Sequence, residues 1–328
     1  MAGNWSSETT WTNISASTIQ NFNNEARDNW YKNSKVLSMA FNYSVKVRGG
    51  TKISRGVEIG PAGSSGVFTG YQTLSIQEQE FLKRAEVDWR NYYYTVAVSH
   101  DEMVQNAGEP QILDLLAQKY TSMKKQMKEN VLGGLFSDGT DYTYPDARTT
   151  GIDGFKVAID DGTNYQYYAG LDRNSAVYGT NWQGNYTDLS NATLTYSDIT
   201  ARMSDVRQWT GRNPDVLITT FAIEDHIRVI MEPKQRYVNN KLATLGFEEE
   251  TYNVDGVPIV ADSFCPSGYM YGITWDSWEI FISPEGNFKS TGRQKPIGQQ
   301  VYVDETVLTM NAICISPHAN FKMVQIGT

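Results

Sequence analysis

The chain has 328 residues and a mass of 36.9 kDa, with 28 Lys and Arg against 37 Asp and Glu, a net charge of -9 and a mean hydropathy of -0.46. The length suits about two domains, no run approaches the ~20 apolar residues of a membrane helix, and 2 cysteines, Cys265 and Cys314, exclude a disulfide framework or a zinc cluster. The acidic balance argues against tight nucleic-acid binding by phosphate neutralisation, and 3 scattered histidines, His100, His226 and His318, leave metal and acid–base chemistry few of their usual groups.

Residues 1–42 are polar, with Trp5, Trp11, Phe22, Trp30 and Tyr31 isolated among them and no sustained period. Such an arm is either a disordered tail or a set of aromatic anchors for a partner's pockets. Met1 to Gln20 lacks the basic start and apolar run of an export signal. Tyr43 to Val47 then alternates as a half-buried strand does. Glycines crowd the stretch from Gly49 to Gly70, and alternation resumes at Val87 to Trp89 and at Tyr92, Tyr94, Val96 and Val98. The expectation is two strands framing a long glycine-rich excursion. Loops longer than ~12–15 residues are usually functional or disordered, and an isolated two-stranded hairpin is marginal in water. The excursion therefore needs another surface to lie on, and a neighbouring copy of the chain is one candidate.

Ser99 to Glu102 fits a capping box opening a short helix that breaks at Gly108. Pro110 suits the first turn of a second helix. Its apolar positions Ile112, Leu115, Leu116, Tyr120, Met123, Met127 and Val131 keep the 3.6 period until Gly133-Gly134 stops it. At roughly 23 residues it is about 35 Å long. Lys124, Lys125 and Lys128 near its end suit the macrodipole or, as a basic face, nucleic acid.

After a turn-rich stretch to Gly151, a new region opens with Gly151 to Ile159. A helix over Tyr196 to Trp209 closes at Gly211, a strand runs Val216 to Thr220, and a helix follows from Phe221 to about Met231. Tyr252 to Val260 reads as a hairpin turning at Asp255-Gly256, and Tyr269 to Thr274 with Trp278 to Ile282 as another, turning at Asp276-Ser277. Gln300 to Ile326 has strand character and should pair with earlier strands such as Tyr94 to Val98. Strand and helix alternate without clean βαβ periodicity, which indicates an α+β fold.

Catalytic motifs are scarce. Neither GxSxG nor GxxxxGK[ST] occurs. Gly60 to Gly66 superficially suggests a phosphate cradle but lacks the following lysine, and reads as a flexible tip. Asp138 to Asp141 and Asp160-Asp161-Gly162 offer oxygens to a hard cation without EF-hand spacing, and read as polar turns. Glu248, Glu249 and Glu250 would point alternately to opposite faces of a strand. His226, beside Asp225, reads as a helix-surface residue. No catalytic, cofactor or metal residue is assigned, and the pattern favours assembly over chemistry.

The order of these pieces resembles the major capsid proteins of tailed bacteriophages, which have the HK97-like fold. The likeness rests on the strand Tyr92 to Val98, Ser99 to Glu102, the long helix ending Leu132-Gly-Gly-Leu-Phe136, and the later runs Leu194 to Asp198, Pro214 to Thr219, Leu245 to Phe247, Val257 to Asp262 and Tyr271 to Ile273. The resemblance implies an N-terminal arm over 1–42, an extended β-hairpin loop (E-loop) over 43–90, a peripheral domain from 91–161 and 300–328 around a spine helix at 110–132, and an axial domain over 162–299. It implies a structural, non-enzymatic protein without cofactor that self-assembles into hexamers and pentamers of an icosahedral shell enclosing viral double-stranded DNA. Assembly would take place in the host cytoplasm, and the product would be the virion. The implied partners are a separate scaffold protein, a portal, a cement or decoration protein and weakly contacted DNA, with no membrane. Some members of that family crosslink a loop lysine to an asparagine. Lys46, Lys52 and Lys83 lie in the loop without a matching acceptor or acid, so that activity is not carried over. Two alternatives stand beside this reading. One is an encapsulin-like nanocompartment shell of the same fold. The other is a secreted carbohydrate-binding or carbohydrate-active protein, suggested by the aromatic and Asn richness.

Overall fold

The computed structural model describes residues 34–74, 80–105, 115–137, 151–231, 253–290, 292 and 294–327. The arm before Ser34, the break at Gly108, the start at Pro110, Asp138 to Asp141 and Glu248 to Glu250 lie outside the described residues. In chain order the elements are α1 (Lys35–Asn42), β1 (Ser44–Lys46), β2 (Lys52–Glu58), β3 (Leu82–Asp88), β4 (Arg90–Ser99), α2 (His100–Gln105), α3 (Leu115–Phe136), α4 (Phe155–Ala158), β5 (Tyr167–Tyr168), β6 (Leu171–Asp172), β7 (Asn185–Asp188), α5 (Tyr196–Thr210), β8 (Val216–Thr219), α6 (Phe221–Met231), β9 (Asn253–Val254), β10 (Val257–Ala261), β11 (Met270–Ile273), β12 (Trp278–Ile282), β13 (Lys289–Ser290), β14 (Val301–Cys314) and β15 (Phe321–Val324). They divide into two units. One includes Asn91–Val131 and Glu285–Thr309, the other Ser34–Arg90, Leu132–Pro284 and Met310–Thr328.

In the first unit β4 alternates as its sequence requires, burying Tyr92, Tyr94, Val96 and Val98. It pairs with β14, the partner expected for it, and Thr309 Oγ1 donates to Asn91 Oδ1 at 2.7 Å. β13 pairs antiparallel with β14, Lys289 opposite Val307. The capping box forms as expected. The Glu102 amide donates to Ser99 Oγ at 3.2 Å, and the Ser99 amide to Glu102 Oε2 at 3.0 Å. Glu102 is only 5% exposed and pairs with Lys119 Nζ at 3.1 Å, while the same ammonium donates to Ala97 O at 3.1 Å. One carboxylate thus ties the strand end and the short helix to the long one.

The end of α3 departs from expectation, because the helix runs through Gly133-Gly134 to Phe136. Each helical glycine costs about 1 kcal/mol. Burial of Leu132, Leu135 and Phe136 outweighs that, at roughly 1.5–3 kcal/mol per side chain. Gly154 is the close neighbour of this turn, since a Cβ there would fall 2.2 Å from Leu135 O. The extension also overturns the macrodipole reading of Lys124, Lys125 and Lys128. They stop roughly two turns short of the end, and the dipole acts within the last turn.

The second unit contains a six-stranded sheet ordered β7-β15-β11-β8-β10-β9. β8 and β10 are parallel, with α6 between them in sequence. β11 lies antiparallel to β8 and β15. Leu217, Ile259, Met270, Phe321 and Met323 from the sheet share one core with Ile199, Met203 and Val206 of α5 and Ile223, Ile227 and Met231 of α6. Thr195 and Asp198 cap α5, and Gly211 ends it at φ +71. The β9–β10 hairpin turns on Asp255 (φ 47) and Gly256 (φ 80), the left-handed pair a tight two-residue turn needs.

Two expectations are corrected in this unit. β11 and β12 form no hairpin. A 3-10 turn at Trp275–Ser277 sends β12 away, to pair with β1 and with residues 310–314 of β14. The turn is held because Asn320 Oδ1 accepts from the Thr274 amide at 2.8 Å and from Trp278 Nε1 at 3.3 Å, while Asp215 Oδ2 accepts from the Trp275 amide at 2.9 Å. Gln300 to Ile326 does pair with earlier strands as expected, its last strand β15 inserting between β7 and β11. Finally, the glycine-rich stretch is partly strand: β2 pairs antiparallel with β3 from Lys52 opposite Asp88 to Glu58 opposite Leu82. Its body is supported within the chain, burying Ile53, Val57, Ala85 and Val87. The Glu86 amide donates to Ala169 O at 2.8 Å, Asn181 Nδ2 to Ile59 O at 2.5 Å and Asn311 Nδ2 to Asp88 O at 2.6 Å. Arg55 pairs with Glu279 at 2.5 Å and lies over the Phe281 ring.

Candidate functional site

The residues singled out for chemistry do not converge. His100 is exposed, His226 Nε2 lies 3.1 Å from Leu194 O, and His318 packs against Trp209, where burial lowers its pKa. Cys265 and Cys314 are buried free thiols. Burial pushes both up, Cys314 to about 12, which makes the reactive thiolate scarce at neutral pH. Lys46 is exposed, Lys52 lies 3.8 Å from both Glu86 and Asp88, and Lys83 pairs with Glu80 and lies over the Tyr178 ring. Among the described residues no three His, Cys, Asp or Glu side chains gather as metal ligands would.

Asp160-Asp161-Gly162 is a turn, but its first residue does more. Asp160 is fully buried, and its Oδ1 accepts from the amides of Gly162, Asn164 and Tyr165 at 3.0–3.2 Å. Its Oδ2 accepts from Asn164 Nδ2 at 3.2 Å and from Lys322 Nζ, 2% exposed on β15, at 2.9 Å. Burial pulls the Asp160 pKa up, but the lysine charge and these hydrogen bonds outweigh it and hold the carboxyl below its ordinary value. Burial lowers Lys322, although Asp160 opposes it. The Lys322 ammonium also donates to Lys156 O at 2.8 Å and faces the Tyr165 and Tyr186 rings. Nearby, the buried Arg173 guanidinium donates to Val157 O, Ala158 O and Tyr165 O at 2.8, 2.6 and 3.0 Å. Asp160, Lys322 and Arg173 are each held by several internal partners, so the centre is a structural staple. The sequence reading missed it. The only signal was a lysine between Phe321 and Met323 in an otherwise apolar run.

The surface with binding character is the connection between β2 and β3. Its base is anchored as described above, whereas Val67, Phe68, Tyr71 and Leu74 are exposed, Phe68 at 61%. Gly60 to Leu74 carries no charged residue in a chain of net charge -9. A segment that is uncharged from Gly60 to Leu74, bares four large apolar side chains and is fixed at its root suits burial against a protein surface. Gly60 to Leu74 contains no His, Cys, Asp, Glu or Lys.

Solved structures of the same fold agree with this reading. The chain matches the capsid asymmetric unit of cyanophage A-1(L) at TM-score 0.75 and 16% identity, covering 94% of this chain and 97% of that one. It matches the capsid of phage XM1, a myovirus, at TM-score 0.58 and 9% identity over 100% of both chains. It also matches the holo-SrpI encapsulin complex of Synechococcus elongatus at TM-score 0.54 and 9% identity, covering 100% and 97%. No curated protein matches the sequence. The mixed helix-and-sheet fold is thus the one these capsid and encapsulin structures share. The family model for the SU10 major capsid protein matches residues 94–302, nearly two thirds of the chain, and the chain belongs to that family. It is a structural capsid protein of a bacteriophage virion, assembling with copies of itself into the shell. No helix among the described residues is long and apolar enough to cross a membrane.

Proposed function

We propose that the chain forms hexamers and pentamers of an icosahedral shell around viral double-stranded DNA, assembled in the host cytoplasm without catalysis or cofactor. The observation that carries this is the strap between β2 and β3, rooted in its own subunit and bare at its apolar tip. In this reading residues 43–90 are the extended loop, and the tip covers a neighbouring subunit. Residues 1–42 are the N-terminal arm. Residues 91–161 with 300–328 form the peripheral domain, 162–299 form the axial domain, and α3 serves as the spine. A separate scaffold protein directs curvature, a portal occupies one vertex, and a cement or decoration protein attaches outside. Repeated modest contacts reach stability through closed symmetry, and the net charge of -9 limits adhesion to DNA that must enter and leave.

Expression with its genomic neighbours and negative-stain electron microscopy test the proposal. Closed icosahedral particles are expected. A chain that stays monomeric beside its scaffold would refute it. Particle contents separate the close alternative, because DNA supports the capsid reading and an enzyme cargo would support a nanocompartment.

A further inference from the structure

We propose that the solvent-facing stripe of α3 is a phosphate-contacting surface, with Lys124 and Lys128 touching the backbone of the packaged double-stranded DNA. This rests on the reading that the shell encloses DNA. Ala117, Thr121, Lys124 and Lys128 are exposed at the i, i+4, i+7, i+11 spacing of a single helix stripe, and Gln126 is exposed off that stripe. The buried stripe, Met123, Met127 and Val131, lies about a quarter turn round the helix from the exposed one. The two ammoniums are one turn apart, a spacing at which like charges disfavour the helix. Among the described residues neither makes an ion pair or hydrogen bond. Their position removes the helix-end explanation, because α3 continues to Phe136.

Two charges that find no partner among the described residues, on an acidic chain, suit an anionic ligand. The stripe also discriminates among anions. It offers no aromatic or large aliphatic anchor, which the centre of a specific protein interface requires. Binding by charge alone is sequence-independent, as packaged DNA demands, and two contacts per subunit keep it weak enough to reverse.

The test uses the full-length chain before assembly, with a short DNA duplex followed by fluorescence anisotropy at increasing salt. Two variants accompany the wild type: Lys124→Gln/Lys128→Gln and Lys124→Arg/Lys128→Arg. Each phosphate contact contributes about 0.9 to the salt slope, so the Gln variant should lose about 1.8 and its affinity should fall about 12-fold less between 50 and 200 mM salt. The Arg variant should retain the wild-type slope. An unchanged slope in the Gln variant, or no duplex binding by the wild type at low salt, overturns the proposal. Failure of the Gln variant alone to form shells, with its slope unchanged, also overturns it and points to a protein partner. Particle formation by the wild type is scored separately, so failure of the shell reading shows independently of the slope.

Discussion

Lys322→Met is the sharpest probe of how this subunit holds together. The substitution keeps the length of the side chain and removes its charge. Asp160 then stays buried with four donors, the amides of Gly162, Asn164 and Tyr165 and the Asn164 side chain, but without the ammonium at 2.9 Å. Stripping one partner from a buried pair costs roughly 3–5 kcal/mol, and the surviving donors place this case near 3 kcal/mol. In a cooperative unit of 150–250 residues that lowers Tm by roughly 6–12 °C. Calorimetry on the unassembled chain measures it, and a cycle with Asp160→Asn isolates the coupling. The cost is pH-dependent. In the wild type the folded pKa of Asp160 lies below its ordinary value of about 3.9, so this stability is present above that value and lost as pH falls through the folded one. Without Lys322, burial dominates and raises Asp160, so protonation stabilises the variant as pH falls. The gap between the two proteins should narrow toward acid. A loss under about 1 kcal/mol, unchanged between pH 7 and 4, would show that the backbone amides suffice and refute the reasoning.

Four further outcomes are expected. Arg173→Lys should cost at least about 3 kcal/mol in denaturant titration despite the conserved charge, because a point ammonium does not span the carbonyls of Val157, Ala158 and Tyr165. Gly154→Ala should destabilise by more than about 3 kcal/mol or abolish soluble expression, since its Cβ meets backbone oxygen at 2.2 Å, whereas Gly63→Ala, with open space around it, should shift Tm by less than about 1 °C. Ser99→Ala should cost about 1 kcal/mol and raise amide exchange at Glu102. Phe68→Ser with Tyr71→Ser should leave monomer stability within about 0.5 kcal/mol while abolishing closed particles in electron micrographs.

Local rules were readable wherever a feature closes within a few residues. The Ser99–Glu102 box, the alternation of β4, the Asp255-Gly256 turn and the Gly211 cap follow from neighbours in sequence, and each formed as expected. The ordered set of elements also carried the capsid resemblance. Reading failed where a distant group decided the outcome. Gly133-Gly134 did not end α3, because burial beyond it outweighs two helical glycines. Asn320, some forty residues away, holds the turn that parts β11 from β12. Lys322 and Asp160, separated by 162 positions, meet only because β15 enters the six-stranded sheet. Local periodicity and turn chemistry thus determined most of the elements, and the resemblance carried by their order indicated the class of protein. Tertiary structure alone decided which strands pair and which buried charges are matched, because those energies belong to contacts that exist only once the chain has closed on itself.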